Sequence, residues 1–378
     1  MAKKAVLGID IGYDQLKLAL VSNGEVVNSA VEQMPENLLK EGRFTSLEAM
    51  ASLIRQTMED NGIKATQAAV VLPNEHVYVK NVDMPMMEEE QLAYNLPFEF
   101  HDYITGEVKD FIFDYAVIEG EEQTQDEFTG QPGGGYNSPL DTGAGPVPGA
   151  TATGAAGGLN PGGDQYGQDE EDEEALHLMA VGVEKVIIED IRDMLRKAGL
   201  KLVKTAPALS AYISLIRDME SNRPQGIEEY GILDLGHHGI TMYMFKHDQH
   251  VATREFDIGL SQLEDIIADK YGVERHLAHT YIHSNFENCL ASEECMIFYD
   301  NVSVELMRAI NFYEFSNQDS SLNDMWICGG GAVNEPLLRT IYETLEMNLH
   351  SSQELLPGGK TVMQYNSLIQ AIGVTLEI

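Results

Sequence analysis

Val6-Leu7-Gly8-Ile9-Asp10-Ile11-Gly12 is an apolar run that delivers one carboxylate and one glycine to its C-terminal end. Tyr13-Asp14-Gln15-Leu16-Lys17-Leu18-Ala19-Leu20 then runs back with strand-like alternation, so the pair reads as a tight β-hairpin. The design occurs twice. Tyr230-Gly231-Ile232-Leu233-Asp234-Leu235-Gly236 repeats it 224 positions later, followed by His237-His238-Gly239-Ile240 and the strand Thr241-Met242-Tyr243-Met244-Phe245. No gap is needed to carry the offset onward: Leu16 meets Ile240, Leu18 meets Met242, Leu20 meets Met244 and Val27 meets Val251. Each copy leads into a third strand and a capped amphipathic helix, the mark of an internal duplication.

Two facing hairpins of this kind form a phosphate clamp, because amides in a tight glycine-containing turn point inward at phosphate oxygens. Asp10 and Asp234 would then hold a hydrated Mg²⁺, a hard cation that retains its waters. One Asp-x-Gly turn is weak evidence, since both residue types are common in any hairpin. The duplicated pattern favours a nucleotide cleft over two structural hairpins.

Composition narrows the partners. The 378 residues suffice for two or three well-buried domains. Sixty-one acidic residues face 24 basic ones, for a formal charge of −37. That balance excludes a nucleic-acid partner, whose affinity rests on Lys and Arg neutralising phosphates, and disfavours adsorption to anionic lipid. No apolar run approaches the roughly 20 residues of a membrane span, and Met-Ala-Lys-Lys ahead of a strand lacks a signal-peptide core. Cys289, Cys295 and Cys328 are few and odd in number, as in a reduced cytoplasm. These features predict a soluble intracellular protein.

Strands are expected near 5–11, 15–21 and 25–31, then a helix near 46–60 with Thr45 and Glu48 as a capping box and Gly62 as its stop. Ala68–Leu72 reads as a strand buried on both faces. Val77–Val79 is expected as a short strand ending before Met84-Pro85, and Met86–Phe100 as a helix interrupted by Pro97. Phe111–Ile118 and the much later Ala175–Val181 read as partner strands. Between them, 119–174 holds no Lys or Arg and ends in an acidic run, so it is expected to be disordered. A helix from Val186 to Gly199, a short strand at Leu202-Val203 and a helix from Pro207 to Arg217 lead to a linker at Asn222–Gly226. Ser261 and Glu264 read as a second capping box with Gly272 after it, 274–316 as helical, Met325–Cys328 as a buried strand broken by Gly329-Gly330-Gly331, and Ser367–Leu376 as a final helix.

Competing chemistry is thin. His276, His279 and His283 share a face of the expected helix, but 276 and 283 lie about 10 Å apart along its axis at roughly 1.5 Å per residue. No cysteine or acid is placed nearby in sequence to complete a tetrahedron, so a metal there is not expected. Cys289 and Cys295 read as buried thiols, and Met84, Met86 and Met87 as core filling.

The duplicated βββα pattern and the strand-Gly-Gly-Gly-helix junction resemble the actin/Hsp70/hexokinase ATPase superfamily. Several blocks are similar, more narrowly, to the PilM family of type IV pilus assembly proteins, relatives of the division protein FtsA. They are Gly8–Gly12 with Lys17, Leu72-Pro73 leading to Asp83-Met84-Pro85, Phe98–Ile104, Phe113–Val117, Ala198-Gly199-Leu200, Thr253-Arg254-Glu255 with Gly259, Ile327–Ala332 and Ala371-Ile372-Gly373. Each is short, but their order spans nearly the whole chain outside the acidic insert.

The resemblance implies an α/β, two-lobed actin/Hsp70-like fold with duplicated βββαβα cores and an inserted 1C-type β-rich subdomain. The first lobe core (1A) would be 1–75, continued by 183–223 and 365–378, and the 1C-like insert 76–182. The second lobe core (2A) would be 224–272 and 317–364, with a helical 2B-like unit at 273–316. ATP would sit between lobes against Asp10, Gly12, Tyr13, Asp14, Gln15, Lys17, Asp234, Gly236, His237, His238 and Gly259, with Gly329, Gly330 and Gly331 admitting its adenine and ribose. Asp10 and Asp234 would hold Mg²⁺ through water. Departures from the pattern weaken that site. Ile240 replaces a usual Thr or Ser, and Leu260 replaces a second glycine. His279 and Ile282 stand where relatives often place an acid and a lysine, and Thr205-Ala206-Pro207-Ala208 offers nothing to orient an attacking water. The expectation is weak ATP binding and at most slow hydrolysis, a degenerate site with no catalytic residue.

By the same resemblance the protein would be a cytoplasmic scaffold of the pilus machine. It would be peripheral at the inner membrane face through a protein, docking the N-terminal peptide of a PilN-like inner-membrane protein in its 1A/1C groove and meeting other motor components, with self-association left open. The alternatives are a small-molecule kinase of the superfamily, for which no general base is evident, and an FtsA-like filament protein. No FtsA-like amphipathic helix follows Gly373, which weighs against the latter.

Overall fold

A computed structural model describes residues 5–118, 175–220, 227–247, 249–317, 320, 322–356 and 365–376. The expected disorder of 119–174 and the linker at Asn222–Gly226 lie outside the described residues.

The chain opens with β1 (Val6–Ile11), β2 (Gln15–Ser22) and β3 (Glu25–Gln33), then the small hairpin β4 (Leu39–Lys40) and β5 (Arg43–Phe44), helix α1 (Leu47–Asp60) and β6 (Gln67–Val71). Next come β7 (Val77–Pro85), α2 (Glu89–Glu99), β8 (Phe111–Val117), β9 (Ala175–Glu184), α3 (Lys185–Lys197), β10 (Lys201–Ala206) and α4 (Ala208–Glu220). The second copy brings β11 (Glu229–Leu235), β12 (Ile240–Lys246), β13 (Gln249–Phe256), α5 (Leu260–Tyr271), α6 (Arg275–Ser284) and α7 (Glu293–Ser316). It closes with β14 (Asp324–Cys328), α8 (Glu335–Leu345), β15 (Asn348–Ser351) and α9 (Tyr365–Gly373).

The duplication is explicit in the sheets. The first has the order β3-β2-β1-β6-β10 and the second β13-β12-β11-β14-β15, each with three antiparallel strands followed by two parallel ones. Register matches as well: Asp10 lies opposite Lys17, and Asp234 opposite Thr241, its equivalent in the second hairpin. Helices α4 and α9 fill the space between the sheets. Tyr212, Leu215, Leu368 and Ile372 join Ala69 and Val71 of one sheet to Ile232 and Trp326 of the other in a continuous buried core. On the outer faces α1 and α3 cover the first sheet, and α5 to α8 cover the second. A third, three-stranded sheet, β7-β9-β8, packs on α2 through Leu92, Leu96 and Phe100.

Both expected capping boxes are replaced. Ser46, not Thr45, caps α1, its side chain accepting from the Ala49 amide, while the Thr45 hydroxyl donates to the carbonyl of Asn37. For α5 the cap is Gly259, and the first amides donate to the second hairpin turn: Leu260 to Gly236 at 3.1 Å and Ser261 to His237 at 2.8 Å. Tertiary carbonyls satisfy the orphan donors that Ser261 and Glu264 were expected to meet. Strand β7 extends through Pro85 because it pairs with β9 along its whole length, a long-range pairing invisible to local pattern. The stretch expected as helical over 274–316 holds α6 and α7, separated at Asn285, Glu287 and Asn288, all with positive φ. Pro97 sits in the last turn of α2 rather than interrupting it.

Candidate functional site between the two hairpins

The two hairpins meet face to face. Lys17 lies beside the end of β1 and donates from Nζ to Asp10 Oδ2 at 2.8 Å. Asp234 belongs to the same cluster, its carboxylate acting on the Lys17 ammonium together with that of Asp10. Burial opposes the charge on Lys17, but the two carboxylates outweigh it and hold the ammonium above the usual lysine range. Burial raises the Asp234 carboxyl, Lys17 pulls it back, and Asp10 adds to the rise.

Two residues that sequence reasoning did not single out, Gln370 and Tyr212, complete the cluster together with Cys328 of the expected buried strand. Gln370 of α9 donates from Nε2 to Asp234 Oδ2 at 2.5 Å and to the Tyr212 hydroxyl at 2.9 Å. Tyr212 of α4 reaches Asp234 Oδ2 at 3.3 Å and Cys328 Sγ at 3.2 Å. Burial first, and Asp234 second, push both the Tyr212 phenol and the Cys328 thiol well above their ordinary ranges, so both stay protonated. Gln370 arrives 136 positions after Asp234. The only sequence signal for it was its place beside the Ala371-Ile372-Gly373 block.

The glycines serve close packing. A Cβ on Gly329, at φ +85°, would lie 2.3 Å from Asp234 Oδ1, and one on Gly331 2.7 Å from Leu235 Cβ. Gly330 is the open member of the triplet. A Cβ on Gly236 would meet the Gly239 carbonyl at 2.4 Å, and one on Gly259 the His237 carbonyl at 2.3 Å. The Gly12 amide is committed to the Gln15 carbonyl at 3.0 Å, closing the first turn.

At the rim the turns touch. The Tyr13 and His238 rings stack at 3.8 Å, and the Tyr13 hydroxyl donates to Glu75 at 2.7 Å. Beside them Glu264 of α5 gathers His279 at 2.9 Å, Arg275 at 3.2 Å and His237 at 3.7 Å, while Asp14 stands 3.6 Å from His279. Burial lowers the affinity of His237 and His238 for a proton, and the Glu264 hydrogen bond raises that of His279. The structure thus brings Asp10, Lys17, Asp234 and Gly329 into one crevice and places Tyr13, Asp14, His237 and His238 at its mouth.

The cavity enclosed by Lys17, Tyr212, Asp234, Gly329 and Gln370 is about 10 Å³, room for a single water. That cavity is too small for an octahedral Mg²⁺ that keeps several waters. The ammonium of Lys17 already faces the two carboxylates that would hold such an ion.

A family model described as type IV pilus assembly protein PilM matches residues 8–129 and 164–355. The chain belongs to the PilM family of type IV pilus assembly proteins. No curated protein sequence matches it significantly. Among solved structures, a PilM-PilN type IV pilus biogenesis complex superposes with a TM-score of 0.72 at 17% identity, covering 98% of this chain and 97% of that one. The ethanolamine utilization protein EutJ from Carboxydothermus hydrogenoformans follows at a TM-score of 0.55 and 12% identity, over 99% and 90% of the two chains. The fold is the two-lobed actin-like ATPase fold, as the resemblance implied. Among the described residues no helix is long and apolar enough to cross a membrane.

Proposed function

We propose that this PilM-family protein is a non-enzymatic scaffold of the type IV pilus machine, whose interlobe cleft is held shut by its own side chains. The observation that carries this reading is the buried Asp10–Lys17–Asp234 cluster, whose Lys17 and Asp234 line a cavity of only about 10 Å³. ATP binds weakly, only after the lobes part, and in competition with the Lys17 and Gln370 contacts. With the Ile240 side chain buried apolar in place of a hydroxyl, and no residue near Pro207 to orient water, hydrolysis is negligible.

The partner is the N-terminal peptide of a PilN-like inner-membrane protein. The related fold was solved as a PilM-PilN complex, which supports the pairing here. A groove of about 380 Å³ suits such a peptide. It is lined by Val6, Ala69, Val203, Lys204 and Leu376, and Ile118, just past β8, packs into the same core. β10 is the outermost strand of the first sheet, and Val203 falls at its register shift, 43% exposed. An extended peptide laid along such an edge gains main-chain hydrogen bonds and an apolar pocket together. Attachment is then peripheral at the inner membrane face from the cytoplasm, through this protein contact, since a net charge of −37 opposes direct contact with anionic lipid.

Titrating the purified chain with that peptide tests the reading. Saturable binding that Val203→Asp weakens at least about tenfold, or 1.4 kcal/mol, supports it. Substrate-dependent phosphoryl transfer without peptide affinity supports the kinase alternative instead.

A further inference from the structure

We propose that Asp14, His279 and His283 form a transition-metal site that staples the first lobe to the second. His279 and His283 lie one turn apart on α6, the spacing that puts two side chains on one helix face. Their rings are 4.3 Å apart, inclined at 63°. The third ligand comes from the other lobe: Asp14, in the first hairpin turn, offers an oxygen within 4.8 Å of a ring nitrogen of each histidine, and those nitrogens lie equally close to each other. Ligands on a tetrahedral ion at 2.0–2.1 Å stand about 3.4 Å apart. Closing from within 4.8 Å to that spacing shortens each ligand–ligand separation by no more than about 1.4 Å. Two imidazoles and one carboxylate suit Zn²⁺ and its neighbours rather than Mg²⁺ or Ca²⁺. His276, one turn nearer the start of α6, is not within ligand distance of this group, so the ion needs no ligand at the far end of the helix.

The surroundings divide the carboxylates by role. Glu264 is buried and already paired with Arg275 at 3.2 Å, and it accepts from His279 Nδ1 at 2.9 Å. That same Nδ1 stands 3.6 Å from Asp14, so an ion held there displaces the Glu264 contact, or the ring turns to give Nε2 to the ion and keeps Glu264 on Nδ1. Asp14, by contrast, meets no lysine or arginine among the described residues, and its ion pair is with His279. His237 belongs to a neighbouring group with Asp14 and Glu264, and can exchange for one ligand as the ion moves toward the second turn. A bound ion would tie the Tyr13–Asp14 turn to α6 and keep the crevice shut without contacting Asp10 or Asp234.

The test uses tag-free full-length protein stripped with a chelator and titrated with Co²⁺, then Zn²⁺. One Co²⁺ per chain should bind with visible d–d absorption and be displaced by Zn²⁺, and Zn²⁺ should raise the Tm. His283→Ala, at an exposed position, and Asp14→Asn should each weaken binding at least about tenfold and abolish the Tm rise. His276→Ala, on the same helix, should change neither. The proposal is overturned by no saturable binding at one ion per chain, by equal loss in His276→Ala, by unchanged affinity in Asp14→Asn, or by a cobalt–thiolate charge-transfer band assigning the ion to a cysteine. Circular dichroism on each variant separates lost binding from lost fold.

Discussion

At the scale of single residues, Lys17 decides the character of the cleft. It stands where an ion would otherwise balance two carboxylates, and its removal leaves those charges facing one another in a buried site. Breaking a buried ion pair by deleting one partner typically costs about 3–5 kcal/mol. Lys17→Met should therefore lower stability by that order in urea unfolding, whereas a lysine reserved for phosphate would leave the apoprotein nearly unchanged. His250 supplies an independent, pH-dependent term. Burial lowers its pKa to about 4, and its Nε2 lies 2.8 Å from the Thr253 hydroxyl. Because the unfolded imidazole titrates near 6.5, the unfolded chain binds the extra proton as the medium acidifies. Stability is thus full above about pH 7 and falls toward pH 4, by up to roughly 3 kcal/mol from this group. Relative to the parent, His250→Phe should gain stability as the pH falls from 7 toward 4, by up to roughly 3 kcal/mol; a difference that stays constant across that range would remove His250 from the account.

At the scale of elements, the strands and the amphipathic helices were legible because their signals are local. Alternation in β1 and β2, and again in β11 and β12, gave hairpins with Asp10 opposite Lys17 and Asp234 opposite Thr241. The caps were misread because their partners are distant. The carbonyls of Gly236 and His237 satisfy the start of α5, a role no window around Ser261 discloses. For α1, the cap at Ser46 predicts that Ser46→Ala costs about 1 kcal/mol and that Ser46→Asp restores most of it. The contact of α9 with β1 makes a stronger demand. A Cβ on Gly8 would fall 1.6 Å from the Ala371 carbonyl oxygen, and one on Gly373 2.3 Å from that of Ala211. Gly8→Ala should force α9 off the sheet and destabilise the protein by about 3 kcal/mol, at the upper end of overpacking costs. A chemical-denaturation loss below about 1 kcal/mol would show that α9 is not docked this way.

At the scale of the molecule, the repeat at 224 positions carried the fold, since two copies of one hairpin imply two lobes facing across a crevice. The contents of that crevice were not legible. Tyr212 and Gln370 converge on Asp234 from α4 and α9, helices whose sequences show only apolar periodicity. Likewise Asp14 and His283 are 269 positions apart, so nothing in the neighbourhood of either announces the other. Residues from the two halves of the repeat meet in both clusters, and that meeting is the property on which the functional reading depends. The most direct measurement is the affinity of the PilN-like N-terminal peptide for the purified chain, with and without saturating Mg-ATP, read alongside phosphate release. The account predicts peptide binding of the same strength in both conditions and no phosphate above background. A peptide affinity that shifts more than about tenfold with ATP, or steady turnover of the nucleotide, would contradict it.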